Sequence, residues 1–332
     1  MPLTVHEHEE VYRRFRRTLA HHRLASTYLF VGPDGVGKRS FARLLTAALL
    51  CKGMPDAELS PCGHCESCRL LAAGNHPDVI QVARPEGKSV LPIDLFIGDK
   101  EHRNQEGLCH EIALKPFLGD RRVAIIDDAD DLNVESANCL LKTLEEPPPR
   151  SLLILVGRSL SRQLPTIRSR CQVVRFGPLA EATVARVLRD EGLLEEGEDA
   201  DRLAAAGGGS VSRALAARDT AAAEFSETLL MYLAKAQFDP IRLAAEAVAF
   251  SAEGGAEPSA KRARLAGLIG AAVGHYRRAM TGQEGAELDP HTAVRCLELC
   301  LDAEAALGRN ANQATLVQAW LTGLWRAQRR GH

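Results

Sequence analysis

Residues 31–40, "VGPDGVGKRS", set Gly32, Gly35, Gly37 and Lys38 in the order of a phosphate-binding loop. In a G-x-x-x-x-G-K loop the backbone N–H groups cradle phosphate oxygens and the lysine neutralises them. The next residue is normally Ser or Thr, whose hydroxyl ligates magnesium. Here it is Arg39, and Ser40 follows one place late. Ser40 lies about 100° further round a helix that starts here, so it cannot take the same position. The loop keeps its means of holding phosphate but lacks one metal ligand. ATP with magnesium is therefore a doubtful ligand, and negligible hydrolysis is expected.

Two acids could complete such a site. In "RRVAIIDDAD" (121–130) an apolar run delivers Asp127 to its C-terminal tip, where the magnesium of a phosphate loop sits. Asp128 follows, where many ATPases carry a glutamate that polarises the attacking water. It is one methylene shorter than glutamate. In "LPTIRSRCQ" (164–172) Arg170 stands on a loop before a strand. It reads either as a surface ion-pairing residue or as a finger that reaches a neighbour's phosphates.

A second chemistry is written in the cysteines. Cys51, Cys62, Cys65 and Cys68 follow C-x10-C-x2-C-x2-C, with Pro61 and Gly63 permitting a tight knuckle. Four thiolates at this spacing suit a tetrahedral zinc ion, and with no open position or general base beside it the site reads as structural. His64 and His76 are spare nitrogens, expected to face solvent. Cys109, Cys139, Cys171, Cys296 and Cys300 read as core or helix-face residues.

The elements that must position these residues come from periodicity. "STYLFVG" (26–32), the run to Asp127, "SLLILVG" (151–157) and "CQVVRF" (171–176) read as buried strands. "KRSFARLLTAALLC" (38–51) and "VESANCLLKTLEE" (134–146) have helical spacing, the second stopped at Pro147. Strands alternating with helices predict an α/β fold with a parallel sheet covered on both faces. After Phe176 nearly everything reads as helix, with breaks near 253–260 and 281–290.

Composition excludes several classes. At 332 residues the chain is long enough for two or three domains. A net charge of −2 leaves room only for local basic patches against nucleic acid. The runs at 13–17 and 261–264 are candidates, though a solvated helix face explains both. No apolar run spans a bilayer and the N-terminus is too polar for a signal peptide, so a cytoplasmic location and reduced thiols are expected.

Together "YLFVGPDGVGK", the four cysteines, "HPDV" (76–79), "VAIIDDADDLNVESANCLLKTLEEPPP" and "LPTIRSRC" resemble the delta-prime family of bacterial DNA polymerase III clamp-loader subunits, in the AAA+ superfamily. "LGRNANQATLVQAWLTGL" (307–324) is similar to that family's collar signature. The resemblance implies a RecA-like AAA+ domain over 1–177 with a zinc module at 51–68, a helical lid over 178–220, and a helical collar over 221–332. It implies a non-motor subunit of the polymerase holoenzyme, partnered by gamma/tau and delta. Through that complex it would reach the sliding clamp and primer–template DNA, with no membrane. It also implies that Arg170 completes a neighbour's ATP site. Arg213, in "GGGSVSRAL" (207–215), is shifted by one from the lid arginine of ATPase relatives and receives no role. The gamma/tau ATPase subunit is the main alternative; a stand-alone AAA+ ATPase and a nucleotide-free zinc scaffold are the others.

Overall fold

The computed structural model describes residues 7–85, 88, 90–235, 238–253, 258–280, 288–308 and 311–330. Residues 254–257 and 281–287, inside the two expected inter-helix breaks, lie outside the described residues. The chain forms two compact units, Met1–Leu215 and Ala216–His332.

The first unit is built on five parallel strands: β1 (Thr27–Val31), β2 (Val79–Val82), β3 (Arg122–Ile126), β4 (Ser151–Gly157) and β5 (Gln172–Arg175). Their order across the sheet is β2-β3-β4-β1-β5, so β4 separates β1 from β3. The fold is α/β with a parallel sheet, as the alternation of elements predicts. The strand that periodicity missed is β2. It is a four-residue edge strand in which only Ile80 and Val82 are buried, separated by the exposed Gln81 instead of forming a run.

Alternation along β1 assigns its side chains to two faces. Tyr28 and Phe30 join Phe15 of α1 (Glu9–Ala20), Phe41 of α2 (Lys38–Leu50) and Phe176 in an aromatic cluster with ring centroids 5–6 Å apart. Leu29 and Val31 face an aliphatic core filled by Phe96 of α4 (Asp94–Ile97), Leu108 and Ile112 at α5 (Leu108–Glu111), Leu140 and Leu144 of α6 (Val134–Glu145), and Ile167 of α7 (Pro165–Arg168). A sheet buried on both faces explains why its strands read as continuous apolar runs. Between Ile93 and Pro116 there is no extended helix, only two four-residue helices joined by a loop.

The short helix α3 (Glu66–Ala72) follows the cysteine knuckle and packs Leu71 against Ala47 and Leu50 of α2. Helices α8 (Glu181–Asp190), α9 (Ala200–Gly207) and α10 (Val211–Ala216) follow the sheet.

Asp78 is fully buried, and its carboxylate accepts the backbone N–H groups of Phe117 (2.5 Å), Leu118 (2.8 Å) and Gly119 (2.7 Å). Burial would raise its pKa, but these three donors outweigh that and hold it below the ordinary carboxylate range. A lowered folded pKa makes this contribution present above the unfolded value; it is lost as pH falls through the folded one. Asp78→Ala strands the three donors and is expected to cost about 2–4 kcal/mol, read as a lower denaturation midpoint at neutral pH.

The second unit contains α11 (Thr220–Lys235), α12 (Pro240–Glu253), α13 (Pro258–Met280), α14 (Pro290–Gly308) and α15 (Gln313–Arg330). Their core is apolar, with Leu229, Leu265, Ile269, Val317 and Leu321 fully buried. A polar group crosses it: Gln328 Nε2 donates to the Leu233 carbonyl (2.8 Å) and to the Tyr276 hydroxyl (3.1 Å). Ile241 (65% exposed) and Met231 (50%) remain on the surface of this unit. Among the described residues no helix is long and apolar enough to cross a membrane.

Candidate functional site

The loop 32–37 leaves the C-terminal end of β1, and α2 begins at Lys38, so the loop's N–H groups stand at a helix N-terminus. Gly35 has φ +69°, and a Cβ there would lie 2.4 Å from the Ser212 backbone nitrogen. Gly37 has φ +93° with open space around it, so backbone conformation alone demands glycine. The loop is anchored from outside: the Ser210 hydroxyl donates to the Asp34 carbonyl (2.7 Å), and Val211 N–H donates to the Gly35 carbonyl (3.0 Å). His8 Nε2 donates to the Val36 carbonyl (2.7 Å) while its ring meets Phe176 edge-on at 4.9 Å.

Around this loop opens a cleft of 660 Å³ that brings Gly35, Gly37, Lys38, Ser40, Asp127 and Asp128 together, from two strand ends and one helix start. Gly32 belongs to the same loop. Convergence at the C-terminal ends of parallel strands is where ligands bind in open α/β sheets. Lys38 is buried, and its ammonium donates to the carbonyls of Gly32 (2.6 Å) and Pro33 (2.5 Å). Burial pulls its pKa down, against the pull of Asp34.

The substituted position has a partner. Arg39 Nη2 lies 2.6 Å from Asp127 Oδ2. Asp127 is itself held by its backbone N–H, which donates to the Val82 carbonyl (2.8 Å). Burial raises the Asp127 pKa, and Arg39 offsets only part of that. Asp128 adopts the left-handed conformation, φ +53°. Arg213 is exposed and does not line the cleft, whereas Val211 and Ser212 do.

The motif reading missed Arg158. It follows β4 directly and lies 3.6–3.7 Å from Asp34, Asp130 and Asp131. Asp130 in turn accepts the Arg158 backbone N–H (2.5 Å) and Gln163 Nε2 (2.7 Å). Its signal was positional, because the residue after a buried parallel strand points into this cleft.

Arg170 sits elsewhere. Its backbone carbonyl accepts the Thr27 hydroxyl (2.7 Å) at the N-terminal end of β1, so the whole strand separates it from the loop. Five residues of strand put that separation at roughly 16 Å. The guanidinium is partly exposed: Nε donates to Glu145 Oε1 (2.7 Å), Nη2 pairs with the same carboxylate, and Nη1 donates to the Thr166 carbonyl (2.9 Å).

The sulfur atoms of Cys51, Cys62, Cys65 and Cys68 all lie within 4.8 Å of one another. Four sulfurs about 2.3 Å from one zinc ion would stand roughly 3.8 Å apart, so the cluster fits the metal after a small contraction. Backbone N–H groups of Gly53 and Cys62 point at Cys51 sulfur, each at 3.4 Å. Burial works against ionisation of Cys65, but N–H groups of Lys52 and Cys68 outweigh it and bring the thiol down to about 6. Burial and neighbouring sulfurs push Cys68 up to about 12. Thiols that cannot all ionise together are what a divalent cation reconciles. His64 is exposed, but His76 is buried rather than solvent-facing: its Nδ1 accepts the Asp78 N–H (3.1 Å).

The family described as "DNA polymerase III, delta subunit" matches residues 7–180, more than half of the chain. The chain belongs to the DNA polymerase III delta-subunit family. Within it, the subunit delta' of Pseudomonas aeruginosa is 39% identical over 191 residues, 56% of this chain and 53% of that protein. Subunit delta' of Escherichia coli is 34% identical over 173 residues, 52% of this chain and 47% of the other. Subunit tau/gamma of Haemophilus influenzae is also similar, at 33% identity over 219 residues, 65% of this chain and 30% of that protein. The matches span about half the length of the delta' relatives.

Proposed function

We infer that this chain is a clamp-loader subunit of the delta-prime kind: a member of the DNA polymerase III complex that does not drive ATP hydrolysis itself but completes the ATP site of an adjacent subunit. The contact between Arg39 and Asp127 carries this reading, because it sets a cation of the chain itself against the carboxylate that a motor subunit offers to magnesium. The position of Arg170 supports it. An arginine one strand length from its own phosphate loop has no route to that loop, yet its guanidinium is exposed enough to meet another chain.

The proposed division is an AAA+ domain over 1–177, a lid over 178–220 and a collar over 221–332 that binds gamma/tau and delta. Zinc held by Cys51, Cys62, Cys65 and Cys68 would brace the first of these. Contacts with the sliding clamp and primed DNA would come through the complex. The alternative is a gamma/tau-type ATPase, favoured by the tau/gamma similarity; the residue at 39 argues against it.

The test is the purified chain and its assembly. Alone it should show no ATP turnover above background, and mixed with gamma/tau and delta it should co-purify. A chain ending at residue 220 should stay folded and fail to join, since Ile241 and Met231 leave with the collar. Robust turnover by the chain alone overturns the reading, and assembly of the truncated chain overturns the collar.

A further inference from the structure

We propose that Arg39 is a resident counter-ion that occupies the metal position of the 31–40 cleft, so that any phosphate ligand taken there is the metal-free form. This deepens the reading of the cleft as a nucleotide fold that drives no hydrolysis, and it rests on that reading.

A magnesium ion at this place needs oxygen ligands at about 2.0–2.1 Å in octahedral array, drawn from a carboxylate, a hydroxyl, water and phosphate. The carboxylate is already engaged, with Arg39 Nη2 at 2.6 Å from Asp127 Oδ2. The hydroxyl is missing, because Ser40 is displaced by about 100° round α2. Arg43, one turn further along α2, lines the same cleft and adds its field at the same carboxylate. A doubly charged ion would therefore enter a cleft lined by the guanidinium groups of Arg39, Arg43 and Arg158. None loses its charge at any physiological pH. The two residues that would carry the metal, residue 39 and Asp127, do not fit it: one offers no hydroxyl and the other is already paired with Arg39.

The arginine also supplies what the metal would have supplied. A guanidinium has five N–H donors in a planar fork. One edge engages Asp127, and the other donors remain for phosphate oxygens. The chain carboxylate, the cation and the phosphate would then stand in the same sequence as in a metal-dependent site, with the cation tethered. Lys38 is held ready by the loop carbonyls of Gly32 and Pro33, which a phosphate would replace as partners.

The experiment is calorimetric titration of the full-length protein with ATP and with pyrophosphate, in EDTA and in magnesium. Wild-type protein should bind both as tightly or several-fold more tightly in EDTA, since magnesium removes the free anion. Arg39→Ser restores a hydroxyl and frees Asp127, and should reverse that order by about tenfold or more in favour of magnesium. It should also show nucleotide-dependent manganese binding by electron paramagnetic resonance, which the wild type lacks. Arg39→Lys keeps the cation and should keep the wild-type order. Tighter wild-type binding in magnesium by tenfold overturns the proposal. So does folded wild-type protein that takes neither ligand in either buffer. Loss of the Arg170 effect on a neighbour is a separate result, and it bears on the proposed function instead.

Discussion

Replacing Arg170 by Ala in a reconstituted clamp loader is expected, on the proposed role of Arg170 as a finger, to slow hydrolysis at one neighbouring ATP site by about 10³–10⁵-fold, with assembly unchanged. That factor corresponds to roughly 4–7 kcal/mol of lost transition-state stabilisation. The effect is large because an arginine finger meets charge that develops only in the transition state, so its loss leaves ground-state binding almost intact. The bulk ATPase of the loader should fall by the share of that single site, which single-turnover phosphate release resolves. Arg170→Lys should fail nearly as badly, because an ammonium lacks the planar fork. In the isolated chain the guanidinium is held by Glu145 and the Thr166 carbonyl, so the substitution breaks only a partly exposed pair. Its cost to stability should stay below about 1 kcal/mol. A complex whose turnover is untouched by Arg170→Ala would mean that the finger belongs to another residue.

The second large effect concerns the cysteine cluster. Elemental analysis of chelator-washed protein is expected to find one zinc per chain. Cys65→Ser should lower that content sharply and expose 51–74 to proteolysis, while circular dichroism still reports the α/β fold. The sheet should survive because its two cores are built from the strands and from side chains of α1, α2 and α4–α7, whereas the knuckle joins them through Leu71 against Ala47 and Leu50, the buried Leu59, and the Leu59 carbonyl that accepts the Tyr12 hydroxyl. Structural zinc sites in small modules hold their metal with about 10–16 kcal/mol of apparent free energy near neutral pH. Even a fraction of that exceeds what so few apolar contacts supply. Metal should leave as pH falls, since protons compete for thiolates that the metal needs. Full retention of zinc in Cys65→Ser, or none in the wild type, would refute the assignment.

Much of the first unit was legible in the sequence. Strands buried on both faces become unbroken apolar runs, so β1, β3 and β4 announced themselves; the edge strand β5 did so through the paired valines Val173 and Val174. The loop glycines, Asp127 and the four cysteines did so too, because each is required by a local geometry that tolerates few substitutes. The edge strand β2 escaped, since its two buried residues, Ile80 and Val82, are separated by the exposed Gln81 and form no apolar run. His76 misled, as nothing local signals that a histidine beside Pro77 will be enclosed and bonded to Asp78. Arg158 was invisible to motif reading for a related reason: its importance lies in which acids surround it, and these come from two other segments.

The sequence alone determined that residue 39 cannot offer a hydroxyl, and helical geometry ruled out Ser40 as its substitute. It left the direction of the arginine open, towards solvent or towards the metal position. Only the tertiary structure decided that. Bringing the end of β3 beside the start of α2, across the intervening β4, puts a buried carboxylate 2.6 Å from the guanidinium. A carboxylate withdrawn from water needs a partner, and the nearest fixed cation supplies it. The same sheet sets Arg170 at the far end of β1. Six residues lie between Gln163 and Arg170, yet no spacing along the chain states which end of the sheet that loop will occupy; the parallel pairing of β5 with β1 does.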